Sequence, residues 1–232
     1  MNDNIDFDTY LFVSLNKLII SVHHKSDFKK IYRKELTFKV EKQLNFIRIN
    51  DFLDKNIFKI EKLFKNFVKK ISVIIDTKNF FLVKISIKKN NHENSVDISS
   101  LSYLLNEAKI SCKKTIADRK IIHMIIDRYR INDDYYSNMP QVLQCKNFSL
   151  DVSFICLSND LIYNFEKILK KYQISLNQII SADYAATLSN DGEDIFDVSK
   201  NILDGYNQNE IMLVKKIHKN KGFFEKFFNF FG

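Results

Sequence analysis

No glycine precedes Gly192 in this 232-residue chain; the four glycines are Gly192, Gly205, Gly222 and Gly232. Loops that cradle phosphate need backbone close to the anion and residues at positive φ, both of which glycine supplies. Residues 1–191 therefore hold no Walker loop, dinucleotide fingerprint or kinase loop. Function has to be sought in surfaces and tails rather than in a glycine-rich nucleotide site.

Apolar residues make up 45% of the chain, enough for a packed core. No apolar run approaches the roughly 20 residues that cross a bilayer. The acidic start, Met1-Asn2-Asp3-Asn4-Ile5-Asp6, is unlike a secretory or mitochondrial presequence. Cys112, Cys145 and Cys156 form no CxxC pair and are odd in number, which fits a reducing, cytoplasmic compartment.

The net charge of +8 suggests nucleic acid until its distribution is considered. Lys215, Lys216, Lys219, Lys221 and Lys226 stand against Glu225 alone, so half the excess charge lies between Lys215 and Gly232. The same stretch holds Phe223, Phe224, Phe227, Phe228, Phe230 and Phe231. At helical spacing all six rings fall within an arc of about 160°, opposite Glu225, Lys226 and Asn229. So short a segment is unstable as a helix in water and is expected to form on the surface it binds. Burying a phenylalanine is worth up to about 3 kcal/mol, and each lysine near an anionic leaflet adds roughly 1 kcal/mol. A membrane surface is the favoured partner; a groove on another protein or on the chain's own body is the competitor.

Upstream, residues 9–22 and 31–40 read as strands separated by the turn His23-His24-Lys25-Ser26-Asp27, with a short strand at 44–49. Asn50 or Asp51 is expected to cap a helix to about Lys70, with Phe52, Leu53, Ile57, Ile60, Leu63, Phe64 and Phe67 at helical spacing. Strands are expected at 71–75, 80–87, 121–131, 148–157 and 176–181. Helices are expected at about 97–109, 158–172, 182–188 and 209–217, and a polar linker with a weak helix inside it at 190–208. The order specifies an α+β fold.

Within that order, the run Arg119-Lys120-Ile121-Ile122-His123-Met124-Ile125-Ile126-Asp127-Arg128-Tyr129-Arg130-Ile131-Asn132-Asp133 resembles a stretch of the bacterial actin-like cell-division protein FtsA. So do Pro140, the strand Phe148-Ser149-Leu150-Asp151-Val152-Ser153-Phe154-Ile155, and the collinear Asn164-Phe165, Lys167, Ile174-Ser175-Leu176 and Ile179-Ile180-Ser181-Ala182. The resemblance covers residues 8–189. It implies a partial actin-like (ribonuclease H-like) first subdomain at 1–70 and 174–189, and an insertion domain of SHS2 type at 71–173. It further implies a linker at 190–208 and a membrane-targeting tail at 209–232.

The departures from that family shape the expected function. Where the family opens with an Asp-x-Gly-Ser phosphate loop, this chain has Val13-Ser14-Leu15-Asn16-Lys17. Ser14 replaces the metal-organising aspartate and Asn16 replaces the glycine. The family's second phosphate loop and second lobe have no counterpart, so no nucleotide, metal or other cofactor and no catalytic residue is expected. FtsZ docks on that second lobe in the family, and its tethering by that route is not expected here. The implied role is a non-enzymatic membrane scaffold of cell division at the cytoplasmic face of the inner membrane. Its expected partners are an anionic membrane surface, division proteins bound through the insertion domain and further copies of itself, with no nucleic acid. A pilus-assembly platform role and a basic nucleic-acid-binding module are the alternatives. His23-His24 reads as a turn pair and Asp133-Asp134 as a solvated turn. Buried thiols are the default for the cysteines, and no Ser/His/Asp arrangement is identifiable.

Overall fold

A computed structural model describes residues 5–90, 98–132, 134–138 and 147–211. It opens with strands β1 (Phe7–Ser14), β2 (Lys17–His24) and β3 (Lys30–Thr37), helix α1 (Phe46–Phe64) and strand β4 (Lys70–Asp76). There follow β5 (Phe81–Asn90), α2 (Ile98–Thr115), β6 (Arg119–Ile131), β7 (Asp134–Tyr136) and β8 (Asn147–Ser158). The described chain ends through α3 (Asn159–Lys170), β9 (Ser175–Ser181), α4 (Ala182–Leu188) and α5 (Ile195–Leu203). The expected α+β class is the class observed.

Two sheets organise these elements. The first has the order β3-β2-β1-β4-β9, with β1, β2 and β3 antiparallel and β1, β4 and β9 parallel. The second, β5-β8-β6-β7, is antiparallel throughout. Alternation along the strands sends Leu11, Val13, Ile20 and Val73 to one face of the first sheet, beneath α1 and α3. Tyr10, Ile19, Ile74 and Ile180 face the other way, against α4 and α5 and against Ile125 and Ile155 of the second sheet. Leu104, Ala108 and Cys112 of α2 cover the remaining face of the second sheet.

Several boundaries differ from the sequence expectation, each for a local reason. The run 9–22 is a hairpin rather than one strand. Its turn at Leu15-Asn16 lacks glycine and proline and is held by Ser14 and Asn16. The strand expected at 44–49 is the start of α1, because the Asn45 side chain accepts from the Arg48 N–H and caps the helix there. That helix stops at Phe64, where Lys65 turns left-handed at φ 52°. In a chain without early glycine, Phe28, Lys65, Asn132 and Gln173 take the positive-φ positions instead.

The boundary expected at residue 71 cuts through β4, which lies inside the first sheet between β1 and β9. The second sheet runs from Phe81 to Ser158, and α3 returns to the first core through Ile162, Phe165 and Leu169. The expected linker 190–208 contains a packed helix. Phe196, Val198 and Ile202 of α5 are buried in the third cluster, so the weak helix expected inside the linker is part of the core. Those acids serve the helix: Asp194 accepts from the Phe196 N–H, Asp197 lies in the first turn and Lys200 in the last.

Candidate functional site

Strand β6 is the element on which the distal chain converges. One edge pairs with β8 along its length. On the other edge β7 reaches only Tyr129, Arg130 and Ile131, which leaves the stretch around Ile125 open. The residues after α5 fill that gap. Gly205, at φ 77°, ends the helix with Gly205 N–H donating to Ile202 O and Tyr206 N–H to Asn201 O. This left-handed turn reverses the chain. Ile126 N–H then donates to Asn209 O and Ile211 N–H to Met124 O, both at 2.8 Å, around an antiparallel bridge between Ile125 and Glu210. Ile211 packs on the core of the second sheet.

A bulge between Ile121 and His123 decides what lies beneath this added rung. Ile121 and Met124 both belong to the core under α2. The extra residue, Ile122, shifts the alternation so that His123 faces the first sheet. There His123 Nδ1 lies 2.7 Å from Glu210 Oε1, with the side chains only 3% and 7% exposed. Its Nε2 accepts the Ser181 backbone N–H at 3.1 Å. A backbone amide only donates, so the proton sits on Nδ1 and is donated to the carboxylate. Tyr184 OH donates to Glu210 Oε2 at 2.7 Å and accepts from Asn207 Nδ2 at 2.9 Å. Burial, then the bond to Glu210 and its charge, push the Tyr184 phenol well above its usual range.

The cluster thus ties β6, the β9–α4 junction and residues 207–210 together through fully engaged polar groups. A general base would have to offer Nε2, and that atom is occupied by Ser181. The role these contacts support is positional: the cluster fixes residues 207–210 against β6 and the β9–α4 junction.

At the β1–β2 hairpin, buried Ser14 donates through Oγ to Asn16 Oδ1 at 2.9 Å and accepts the Asn16 N–H at 3.3 Å. Lys17 is 3.4 Å from Glu35. Asp76 lies beside Ser14 in the parallel register. Burial, and secondarily the charge of Asp183, raise its carboxyl above the usual value. The turn spends the Asn16 amide on the Ser14 hydroxyl.

The tail residues Lys215, Lys216, Lys219, Lys221, Phe223, Phe224, Lys226, Phe227, Phe228, Phe230 and Phe231 lie outside the described residues. So do Asp133, Cys145 and residues 212–217 of the helix expected at 209–217; within that helix's range Glu210 forms a strand bridge instead. His23 is buried, stacked on Phe28 at 4.1 Å and bonded to Ser21, whereas His24 is half-buried beside Asp27. Asp134 is exposed at the start of β7. Cys112 and Cys156 are buried thiols. The residues that form the tight cluster, His123, Tyr184, Asn207 and Glu210, are not singled out by the sequence. The available signal was a lone histidine within the apolar run Ile121–Ile126 and a lone acid just before the basic tail.

Among the described residues no helix is long and apolar enough to cross a membrane. No protein-family model and no curated protein matches the chain. Solved structures do. The cytoplasmic domain of EpsL, an inner-membrane component of the type II secretion system of Vibrio cholerae, is 7% identical, with 78% of this chain and 59% of that one covered and a TM-score of 0.41. The PilM–PilN type IV pilus biogenesis complex is 7% identical over 78% and 49%, with a TM-score of 0.44. A Bacteroides thetaiotaomicron protein of actin-like ATPase fold and unknown function is 13% identical over 77% and 81%, with a TM-score of 0.23. The chain spans about half to three-fifths of the first two.

Proposed function

We propose that this chain is a non-enzymatic peripheral membrane scaffold: Lys215–Gly232 binds an anionic membrane surface, and the two-sheet body holds protein partners close to it. One observation carries the proposal. The residues just before the basic, phenylalanine-rich segment are built into the β6 edge by Glu210, Asn209 and Ile211. Lys215 follows Ile211 by four positions, a reach of at most ~14 Å. Tension on the tail is therefore delivered to the second sheet, and the body is kept against the surface rather than swinging on a tether.

The self-satisfied Ser14–Asn16 turn supports the non-enzymatic part of the proposal. The collinear motifs of residues 119–182 favour a bacterial cell-division machine of the FtsA kind, at the cytoplasmic face of the inner membrane. A pilus-assembly platform is the second reading, because such proteins share the insertion-type fold that those motifs imply.

Co-sedimentation of the whole chain with anionic phospholipid vesicles tests the anchor. The wild type is expected in the pellet and a Phe224→Glu, Phe228→Glu variant in the supernatant; equal binding by both would sink the proposal. A fluorescent fusion in cells then separates the machines: mid-cell signal supports division, and signal at pilus complexes supports the second reading.

A further inference from the structure

The second sheet has one long strand edge that nothing described pairs. β5 bonds to β8 in an unbroken antiparallel register from Phe81 opposite Cys156 to Asn90 opposite Asn147. Among the described residues no strand lies on its other side. Alternate backbone N–H and C=O groups along Phe81–Lys88 therefore point outward, as a template for one more strand.

The other edges are blunted. β3 follows a bulge at Val22/His23 and carries mixed charges paired within the body, Arg33 with Asp194 and Lys17 with Glu35. β9 has a register shift, and its last amide is spent on His123. The free edge of β6 is closed by β7 and residues 209–211.

The chemistry of the β5 edge selects an occupant. Lys84 and Lys88 are exposed on the strand, and neither has an ion-pair partner among the described residues. At its start Phe81 and Leu82 are 44% and 54% exposed. Beside them lies a hollow of about 400 Å³ lined by Lys78, Asn79, Phe81, Arg119 and Leu161, with the Arg119 guanidinium 4.9 Å from the Phe81 ring centroid. A second copy of this strand would set lysine against lysine, which is unfavourable across a strand pair.

We propose that the β5 edge takes up an extended acidic segment of another protein as a fifth strand, with an apolar side chain of that segment in the hollow beside Phe81. This gives the scaffold reading its protein-contact surface and rests on that reading only for its biological purpose. Main-chain bonds would supply affinity, and the lysines would select the charge of the guest.

The test uses the whole chain and short labelled peptides that alternate Glu and Val with a terminal Phe, beside the same peptides with Lys for Glu. The acidic peptide is expected to bind, to protect amides of residues 81–88 from hydrogen exchange, and to lose affinity about tenfold or more with Lys84→Glu, Lys88→Glu. The Lys84→Gln, Lys88→Gln variant is expected to fall between, with unchanged circular dichroism. Equal binding of both peptides, no binding of either, protection elsewhere, or indifference to charge reversal would each overturn the proposal; in the cases without acidic binding, the lysines serve only to keep the edge from aggregating. The charge-reversed variant is also sedimented with anionic vesicles. Retained sedimentation with lost peptide binding supports the edge, whereas lost sedimentation of the Phe224→Glu, Phe228→Glu chain with intact peptide binding assigns membrane binding separately to the tail.

Discussion

His123 Nδ1 stands 2.7 Å from Oε1 of Glu210, a residue 87 positions further along the chain. Glu210→Ala leaves that N–H and the Tyr184 hydroxyl buried without their acceptor. The expected cost is about 3 kcal/mol in global stability, read from the denaturant midpoint. Glu210→Gln retains one acceptor and is expected to lose less. A double-mutant cycle with His123 should show coupling on the order of 1 kcal/mol or more, as befits groups in contact.

The basic flank is expected to act by charge. Replacing Lys215, Lys216, Lys219 and Lys221 with glutamine should weaken binding to anionic vesicles by roughly 1 kcal/mol per lysine. Binding to neutral vesicles should change little. Equal losses on both lipids would mean that the lysines act on the protein rather than on the lipid.

Residues 190–208 have the composition of a linker, yet they hold Phe196 fully buried against Tyr10 and His23. Phe196→Ala is expected to cost ~3–5 kcal/mol. A substitution in a solvated linker would cost within about 0.5 kcal/mol. Thermal or chemical unfolding separates these outcomes.

Lys65 ends α1 at φ 52°, a conformation that costs a residue with a Cβ roughly 1–2 kcal/mol. Lys65→Gly removes that strain but loosens the unfolded chain by up to about 1 kcal/mol. A net gain of roughly 0.5–1 kcal/mol is expected, visible as a higher unfolding midpoint.

His23 titrates below its ordinary value of 6.5, chiefly because burial disfavours the charged ring, an effect partly countered by its bond to Phe28 O. The unfolded chain then binds the proton more readily than the folded one. The histidine's contribution to stability is full above pH 6.5 and is lost as pH falls from there toward its folded value. The slope is at most about 1.4 kcal/mol per pH unit. Unfolding measured across that interval should show it, and His23→Gln should flatten it.

Helices α3 and α4 were legible closely, whereas the Asn45 cap of α1 and the Asp194 cap of α5 were not. Ser158 and Ser181 cap α3 and α4 where the apolar periodicity begins, and α4 spans 182–188 as expected. The Leu15-Asn16 turn was not legible, because it holds neither glycine nor proline and the apolar pattern resumes at once from Leu18. β4 and β5 were expected as separate strands but within one domain. Both segments read as strands, and only pairing assigns one to each sheet.

The sequence by itself determined the α+β class, the positions of most strands and helices, the absence of glycine loops before Gly192, and the concentration of charge and phenylalanine after Lys215. These follow from composition and from periods of a few residues, which are local properties of a chain. Tertiary structure alone decided that Glu210 meets His123, that α5 is core, and that no described strand pairs the outer edge of β5. Such pairings join residues scores of positions apart. They are set by which surfaces can be buried together and which polar atoms can be satisfied at once, and no local window contains that information.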